Sequence, residues 1–370
     1  MAGIYFHIPF CITRCVYCDF FSSTYIEGKA RYIDNLCIEL QERKDYLKKQ
    51  TVETVYFGGG TPSLLPASDF DKIFSKIKEL FTVDWQNAEI TLEANPDDLS
   101  EEYLKSIRHL PFNRISIGIQ SFHDEELKFL NRRHNVQAAI QAVELCKLHG
   151  YKNISIDLMY GLPQQSLSDW ISTIEGAIKL DVQHISAYHL IYEEGTRLHQ
   201  LLSCNSISPV DEELSNQMFE VLIKMLTDAG FEQYEISNFA RPGFYSRHNS
   251  SYWKGVHYLG IGAAAHSYNG LSRQWNKNVL KESYLNYEPE IELIDEKTAF
   301  NDFIITRLRT MQGIDLDELE NSFGKDNREY ILKQSGKYLN NDLLELVNHY
   351  LRLTRKGIFV SDGIMSDLMK

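Results

Sequence analysis

The chain has 370 residues, of which 43% are hydrophobic and 24% are charged, so it can bury the core of a barrel-sized domain with a smaller unit beside it and is not a disordered protein. Its formal net charge is −13, and because no long basic run interrupts this acidic balance, a nucleic acid is not expected as its main partner. The N-terminal sequence MAGIYFHIPF lacks the features of a signal peptide and no stretch reaches the roughly 18 apolar residues of a membrane span, so we expect a soluble, cytoplasmic protein without a transmembrane segment.

Six apolar runs of strand length alternate with segments of helical periodicity in the first half of the chain. The predicted strands are 4–8, 52–57, 88–92, 114–119, 154–156 and 184–190. The predicted helices are 29–49, 70–81, a short helix after Ser100, 136–148 and 170–180. Such alternation is typical of a parallel sheet covered by helices. Because polar residues stand at the strand ends, we predict an α/β fold built as a partial (β/α)6 barrel of the TIM type.

The pattern changes after the sixth predicted strand. A helix is predicted at 211–230, and a less regular stretch rich in aromatic residues and glycine follows at 231–268. Beyond about residue 290 we predict helices at 298–310 and 325–346, a short strand or turn at 347–353 and a strand at 357–360. This composition indicates a smaller, mainly helical unit at the C-terminal end.

Three of the six cysteines stand close together in the run YFHIPFCITRCVYCDF, which covers residues 5–20. Cys11, Cys15 and Cys18 have the spacing C-x3-C-x2-C. A structural zinc ion takes four ligands, whereas three cysteines hold a [4Fe-4S] cluster with one iron left open, so we favour the cluster over zinc or reduced structural thiols. The remaining cysteines are scattered and are expected to be ordinary thiols in a reducing compartment.

Polar residues at the ends of the predicted strands form the candidate site, because in barrels the chemistry collects at the C-terminal ends of the strands. The second strand ends in a glycine triplet that includes Gly59 and Gly60 and is followed by Thr61. Glycine lets the backbone come close to a ligand, and the absence of a following Lys-Ser/Thr pair excludes a phosphate loop. The other strand-end residues are Glu93, Gln120, Asp157 and Tyr188 or His189.

The cysteine spacing, with the aromatic Tyr17 directly before Cys18, resembles the signature of the radical S-adenosylmethionine (SAM) superfamily. In that superfamily the open iron is chelated by the amino and carboxylate groups of SAM, and one electron from the cluster splits SAM into methionine and a deoxyadenosyl radical. The run YFHIPF at residues 5–10 narrows the resemblance to the branch that contains oxygen-independent coproporphyrinogen III dehydrogenase and the HemW-type haem chaperones.

The resemblance implies cofactor-binding roles for residues at the matching motif positions. They are Tyr5 in YFHIPF, Tyr17 in the cysteine run, Gly59, Gly60 and Thr61 in GGGTP, Glu93 in LEANP, Gln120 in GIQSF, Arg132 in LNR, Asp157 in IDLMYGLP and Tyr188 at the end of the sixth predicted strand. A guanidinium can hold the carboxylate of SAM, and carboxylates can accept from its amino and ribose groups. The alternative for any one of them is a polar group at a strand end. His7 is either a catalytic group on the substrate side or a buried core histidine, and these two readings stay open.

Two features favour the chaperone branch over the dehydrogenases. The dehydrogenases usually carry a further cysteine two residues after the third, where this chain has Phe20. The run HNSSYW at 248–253 matches the H-N-x-x-Y-W motif that is linked in the chaperones to haem binding, with His248 as a possible iron ligand and aromatic rings as an apolar wall for the macrocycle. The alternative is that this run consists of ordinary packing residues. The run GIGAAAHS at 260–267 resembles the branch's glycine-rich segment near the cofactor.

The resemblance therefore implies a haem chaperone that binds a [4Fe-4S] cluster, SAM and haem and delivers haem to acceptor proteins, with an electron donor as a further partner. It also implies a core at 1–225, a linking and haem-proximal segment at 226–290 and a C-terminal domain at 291–370. Two alternatives remain: an enzyme that oxidises coproporphyrinogen III to protoporphyrinogen IX, and a radical enzyme for an unrelated small molecule. The oligomeric state stays open, with a homodimer as one alternative.

Overall fold

The computed structural model describes residues 1–280 and 283–370. Within these ranges the strands are β1 (Ala2–Ile8), β2 (Val52–Gly59), β3 (Glu89–Ala94), β4 (Arg114–Gln120), β5 (Ile154–Tyr160), β6 (His184–His189), β7 (Glu232–Gln233), β8 (Asn238–Ala240), β9 (His257–Ile261), β10 (His266–Tyr268), β11 (Ser272–Trp275), β12 (Glu290–Leu293), β13 (Ile314–Asp315), β14 (Leu344–Val347) and β15 (Tyr350–Leu353). The helices are α1 (Lys29–Glu42), α2 (Ala67–Leu80), α3 (Glu101–Ile107), α4 (Asp124–Phe129), α5 (Val136–Leu148), α6 (Leu167–Lys179), α7 (Arg197–Ser203), α8 (Glu212–Asp228), α9 (Arg247–Trp253), α10 (Glu296–Leu308), α11 (Leu316–Phe323), α12 (Lys325–Asn340), α13 (Arg355–Ile358) and α14 (Ser361–Leu368).

One large sheet contains twelve of these strands, in the order β12-β11-β10-β9-β1-β2-β3-β4-β5-β6-β8-β7. Strands β1 to β6 are parallel neighbours in chain order, with helices between them. Strand β9 adds to β1 in parallel, and β8 adds to β6 in the antiparallel sense. Among the described residues β6 does not pair back to β1, so the sheet is an open, partial barrel. The predicted α/β architecture is confirmed, and all six carboxyl ends lie at one edge.

Strand β4 shows how the sequence builds this barrel. Ile115, Ile117 and Ile119 belong to the main apolar core and are fully buried. The alternate residues Ser116 and Gln120 line an interior cavity. Since successive side chains of a strand point to opposite faces, the apolar set packs outward under the helices and leaves the polar set inside the barrel.

Several predicted helices of the barrel match the structure closely, and one, the helix predicted at 29–49, does not. Helix α5 spans Val136–Leu148, as predicted, and Ser100 caps α3 by accepting the N–H of Tyr103 at 3.2 Å. Helix α1, however, ends at Glu42 rather than at residue 49. Residues 43–49 form turns instead, and Lys48 and Lys49, with φ values of 48° and 62°, lie outside the conformation of a right-handed helix.

The C-terminal part of the chain has a core of its own around a three-stranded sheet in the order β13-β15-β14. Its buried apolar residues are Phe300, Ile304, Leu308, Ile314, Leu316, Leu319, Ile331, Leu344, Leu351, Ile364, Met365 and Leu368. Five helices, α10 to α14, surround this sheet, so the predicted smaller and mainly helical unit is confirmed. The boundaries proposed at residues 225 and 290 stay a prediction.

Two predictions in this C-terminal part are wrong. The helix predicted at 325–346 ends at Asn340, because Asp342 takes a φ of 57° and the chain then enters β14. The strand predicted at 357–360 is absent. The Thr354 hydroxyl accepts the N–H of Gly357 at 3.1 Å and so begins helix α13, which ends at Ile358. Phe359 and Val360 then form a turn.

A membrane-crossing segment was not expected from the sequence. In the two ranges that the structure describes, the helices are all too short or too polar to span a bilayer.

Candidate functional site

A cavity of about 440 Å³ opens at the carboxyl edge of the parallel strands. The predicted site residues that line it are Cys11, Cys15, Tyr17, Cys18, Gly59, Gly60, Thr61, Glu93, Gln120, Arg132, Asp157 and Tyr188. These residues come from six different strands or the loops that follow them. The structure therefore brings together the cysteine loop and most of the polar residues that the sequence singled out. Tyr5, His7 and His248 do not line this cavity.

The cysteine loop connects β1 to α1 and is closed at its base by backbone hydrogen bonds. The N–H of Ser23 donates to Pro9 O at 2.7 Å, and the N–H of Cys11 donates back to Ser23 O at 3.0 Å. Two cavity residues reach the sulfur atoms. The Thr61 hydroxyl donates to Cys11 Sγ at 3.5 Å, and Arg132 Nη1 donates to Cys15 Sγ at 3.3 Å.

Two of the thiols are protonated at neutral pH in the protein alone. Burial raises the pKa of Cys11 above its ordinary value and raises the pKa of Cys18 to about 11. A bound metal centre reverses this preference, because it stabilises the thiolate form directly. The loop thus places soft ligands in a partly desolvated position where a metal centre is needed to ionise them.

Glu93 is the carboxylate at the end of β3. Its Oε1 accepts the Tyr56 hydroxyl at 2.6 Å, and its Oε2 accepts the N–H of Gly59 at 3.2 Å. Burial raises its pKa to about 7, against the opposing effect of these two hydrogen bonds. Burial likewise raises the pKa of Asp157 to about 6. Two carboxyl groups inside the cavity can therefore accept hydrogen bonds from amino or hydroxyl groups, which favour the ionised form.

Arg132 supplies the positive charge opposite these carboxyl groups. Its Nη2 donates to Asn95 Oδ1 and to Gly118 O, both at 2.6 Å, and its Nε is buried without a partner. Gln120 stands at the end of β4 with a φ of 73°, beside an irregularity in the pairing of β4 with β5. The Gln120 amide and the Arg132 guanidinium both lie beside Gly118, at 3.0 and 3.1 Å from the place that a Cβ on Gly118 would take.

Sequence reasoning missed three residues that shape the site. Asn95 holds Arg132 and donates from Nδ2 to the Thr61 hydroxyl at 3.3 Å. His134 donates from Nε2 to Ile119 O at 3.0 Å and has a buried, unpartnered Nδ1. The Tyr56 hydroxyl donates to Glu93 Oε1. The sequence could have indicated Tyr56 as a residue of the barrel interior, because it alternates with the apolar, outward-facing residues of β2. His134 has no such signal in the sequence apart from its closeness to Arg132.

Tyr5 and His7 lie behind the glycine loop rather than in the cavity. The Tyr5 hydroxyl is hydrogen-bonded to His7 Nδ1 at 3.1 Å, and His7 Nε2 to Phe21 O at 2.8 Å. A side chain at Gly59 would come within 2.6 Å of the His7 ring, so this ring packs directly against the loop. Burial lowers the pKa of His7 to about 4. The geometry shows a neutral, hydrogen-bonded ring that supports the loop, and a catalytic role for His7 stays a prediction.

His248 lies at the opposite end of the barrel from the cysteine loop. It is 1% exposed, with Nδ1 hydrogen-bonded to the Thr54 hydroxyl and Nε2 to the Tyr252 hydroxyl, both at 2.8 Å. Glu89, the first residue of β3, accepts the backbone N–H groups of Arg247 and His248. Burial lowers the pKa of His248 to about 3, so the ring is neutral. As folded, both ring nitrogens are occupied, and His248 can meet a metal ion only after leaving this place.

Comparison with known proteins agrees with this architecture. The family model for the radical SAM superfamily matches residues 5–177, and the model for the HemN C-terminal domain matches residues 294–360. The heme chaperone HemW of Mycobacterium tuberculosis is 32% identical over 379 aligned residues, which cover 99% of this chain and 94% of the relative. That of Lactococcus lactis is 32% identical, covering 99% and 96%. That of Escherichia coli is 37% identical over 71% of this chain and 69% of the relative.

The chain belongs to the HemW family of radical SAM proteins. The family that the sequence predicted is thereby confirmed. Among solved structures, coproporphyrinogen III oxidase (HemN) from Escherichia coli matches 100% of this chain and 90% of its own with a TM-score of 0.86 and 21% identity. At that identity the likeness shows the shared fold alone.

The cavity fits the cofactors that a HemW relative of this superfamily is expected to carry. Its three cysteines offer soft ligands on one loop, and Arg132 Nε and His134 Nδ1 are buried polar atoms that lack a partner. A Cβ on Gly60 would lie 2.8 Å from both Ile8 O and Phe10 O, so the backbone is as close there as glycine permits. A volume of about 440 Å³ falls within the range of small-molecule sites.

Proposed function

We propose that this protein is a haem chaperone that binds a [4Fe-4S] cluster, SAM and haem and passes haem to acceptor proteins. The observation that carries the proposal is the similarity along 99% of the chain to relatives described as heme chaperone HemW. Phe20 supports it, because it is 64% exposed at the cavity wall, where the coproporphyrinogen dehydrogenases usually carry a further cysteine. The scattered free thiols fit work in the cytoplasm.

In this proposal Cys11, Cys15 and Cys18 hold the cluster. When bound, the cluster supplies an electron and an open iron site to SAM. Arg132 donates to the thiolate of Cys15 and presents its remaining N–H to the carboxylate of SAM. The charge of Arg132 also lowers the cost of ionised sulfur inside the barrel.

The remaining cavity residues orient SAM and exclude water. Glu93 accepts from the amino group of SAM, beside the backbone of Gly59, Gly60 and Thr61. Asp157 accepts from the ribose hydroxyls, and Gln120 both accepts from them and donates to them. Tyr17 and Tyr188 form apolar walls. Tyr5 acts from behind the glycine loop, through its hydrogen bond to His7.

Haem binding is assigned to the HNSSYW segment that forms α9. His248 is neutral, which is the form that ligates iron, and Tyr252 and Trp253 offer apolar surface for the macrocycle. Because His248 is buried and doubly hydrogen-bonded, the proposal requires that α9 move when haem binds. An acceptor protein and an electron donor complete the partners that this function needs.

The test is anaerobic reconstitution of the cluster followed by haem titration, read by absorbance, with a coproporphyrinogen III turnover assay on the same sample. We expect haem binding without turnover. His248→Ala should raise the haem dissociation constant at least about tenfold, because loss of a group that merely orients a metal ligand already costs about that much, while iron and sulfide content stay unchanged. His109→Ala is the matched control, since His109 is an exposed histidine paired with Asp71, and it should bind haem normally.

Each alternative outcome has a definite meaning. Turnover of coproporphyrinogen III would contradict the proposed chaperone function and support the oxidase function instead. Cluster assembly with neither haem binding nor turnover would point to an unrelated substrate. Unchanged haem affinity in His248→Ala would remove that ligand assignment and leave the cofactor site intact.

A further inference from the structure

Tyr56 touches both the proposed SAM site and the proposed haem ligand. Its hydroxyl donates to Glu93 Oε1 at 2.6 Å. Its ring stacks on the ring of His248, with centroids 4.9 Å apart and planes inclined by 23°. One side chain therefore spans the barrel interior between the carboxyl edge, where Glu93 lies, and the amino edge, where α9 is anchored.

The position of Tyr56 is fixed from the SAM side. A Cβ on Gly58 would lie 2.8 Å from Tyr56 Cε1 and 2.9 Å from Glu93 Oε1, so both side chains lie directly against the backbone of Gly58. The second oxygen of Glu93 accepts the N–H of Gly59. The carboxylate is thus held between the glycine loop and Tyr56 and cannot rotate without losing one of these bonds.

The position of His248 is fixed from the other side. Thr54, two residues before Tyr56 on the same inner face of β2, holds Nδ1, and Tyr252 holds Nε2. The ring of Tyr5 packs at 6.4 Å from that of His248 and at 6.1 Å from that of Tyr56. When His248 leaves this place, Tyr56 loses the ring against which it stacks.

We propose that Tyr56 is a positioning residue that couples the two sites, so that a ligand hydrogen-bonded to Glu93 stabilises the buried place of His248 and opposes its release. This inference rests on the proposed function, because it takes the amino group of SAM as the ligand of Glu93 and His248 as the haem ligand. An amino donor favours the ionised carboxylate of Glu93, and the hydrogen bond from the Tyr56 hydroxyl to an ionised acceptor is stronger. The stronger bond holds the Tyr56 ring under His248. Coupling between binding sites is reciprocal, so haem bound through His248 weakens SAM binding by the same factor.

Hydrogen exchange tests the coupling on cluster-reconstituted protein, with and without SAM. In the unaltered protein SAM should slow amide exchange both in the loop at 58–62 and in α9, Arg247–Trp253. In Tyr56→Phe, which keeps the ring and removes the hydroxyl, SAM should still slow exchange in the loop and no longer in α9. Tyr258→Phe is the matched control, because Tyr258 packs on Tyr252 at 4.6 Å and its loss should leave both effects in place.

The outcomes separate this inference from the function on which it rests. Absence of protection at 58–62 in the unaltered protein would overturn the SAM site, and the coupling with it. If SAM still slows exchange in α9 of Tyr56→Phe, the coupling is overturned and the SAM site stands. This holds even if α9 of the variant exchanges faster than α9 of the unaltered protein both with and without SAM, because such a uniform increase indicates a purely structural role for Tyr56. A second measurement needs no variant: saturating SAM should raise the haem dissociation constant at least about fivefold, and an unchanged constant would overturn the coupling.

Discussion

Glu93 shows at the scale of a single residue how the fold prepares a site before any ligand binds. Burial raises its pKa to about 7, above the ordinary value of about 4.3. At a pH between these two pKa values, the folded protein keeps a proton on Glu93 that the unfolded chain has released. The contribution of this proton to stability is therefore fully present below the pKa of the unfolded chain, and it is lost as the pH rises through the pKa of the folded protein.

Glu93→Gln should remove this loss, because an amide stays neutral at every pH in the range. With a pKa of about 7 in the folded protein and about 4.3 in the unfolded chain, we expect the ligand-free variant to gain about 2.5 kcal/mol of stability relative to the unaltered protein between pH 5 and pH 8. Thermal unfolding midpoints at both pH values measure the difference. Glu102→Gln, at an exposed glutamate of α3, is the control and should not change the pH dependence. A Glu93 variant that is no more stable at pH 8 would mean that the carboxyl group ionises there without cost.

At the scale of the elements, the sequence predicts the barrel well and the C-terminal part less well. Strand β4 and helix α5 follow from local signals: alternate buried isoleucines in one, and an Asn135 cap in the other, which accepts the N–H of Ala138. Helix α13 does not, because its β-branched and aromatic residues suggest a strand, whereas the Thr354 cap and the close approach of Gly357 to Leu343 accompany a helix. The same limit holds at the site. Glu93 and Arg132 belong to short motifs that can be recognised in the sequence. The buried position of His248, by contrast, depends on a hydrogen bond to Thr54, which is distant in sequence.

The contact at α13 gives a matched pair of glycine substitutions. A Cβ on Gly357 would lie 1.8 Å from Leu343 O, so Gly357→Ala forces backbone atoms apart and should cost at least about 3 kcal/mol of stability. Gly363 lies in α14 with nothing within 4 Å of its missing Cβ, so Gly363→Ala should be neutral or stabilise by up to about 1 kcal/mol. Thermal unfolding of the two variants checks both expectations. Equal midpoints would contradict the close contact between α13 and the loop before β14.

At the scale of the whole molecule, α9 joins the base of the barrel to the C-terminal part. On the barrel side Glu89 anchors its first turn. On the other side Arg307, in α10, donates to Trp253 O, and the guanidinium of Arg309 lies 5.5 Å from the centre of the Trp253 ring. A segment proposed to move when haem binds is thus held at both ends. We infer that its movement disturbs the C-terminal part as well as the barrel.

Trp253→Phe tests whether α9 connects the barrel to the C-terminal part. The variant keeps an aromatic ring and removes the N–H that donates to Glu235, whose side chain belongs to a residue only 7% exposed. Loss of that donor should cost about 1–3 kcal/mol, since a buried acceptor loses a hydrogen-bond partner. Trp275→Phe is the matched control: Trp275 donates to the exposed Glu290 at 3.1 Å, and water can replace that bond at a cost of at most about 1 kcal/mol. In Trp253→Phe, amide exchange should quicken in α9 and in α10 together. Faster exchange in α9 alone would show that the C-terminal part holds its structure independently and that movement of α9 is not transmitted to it.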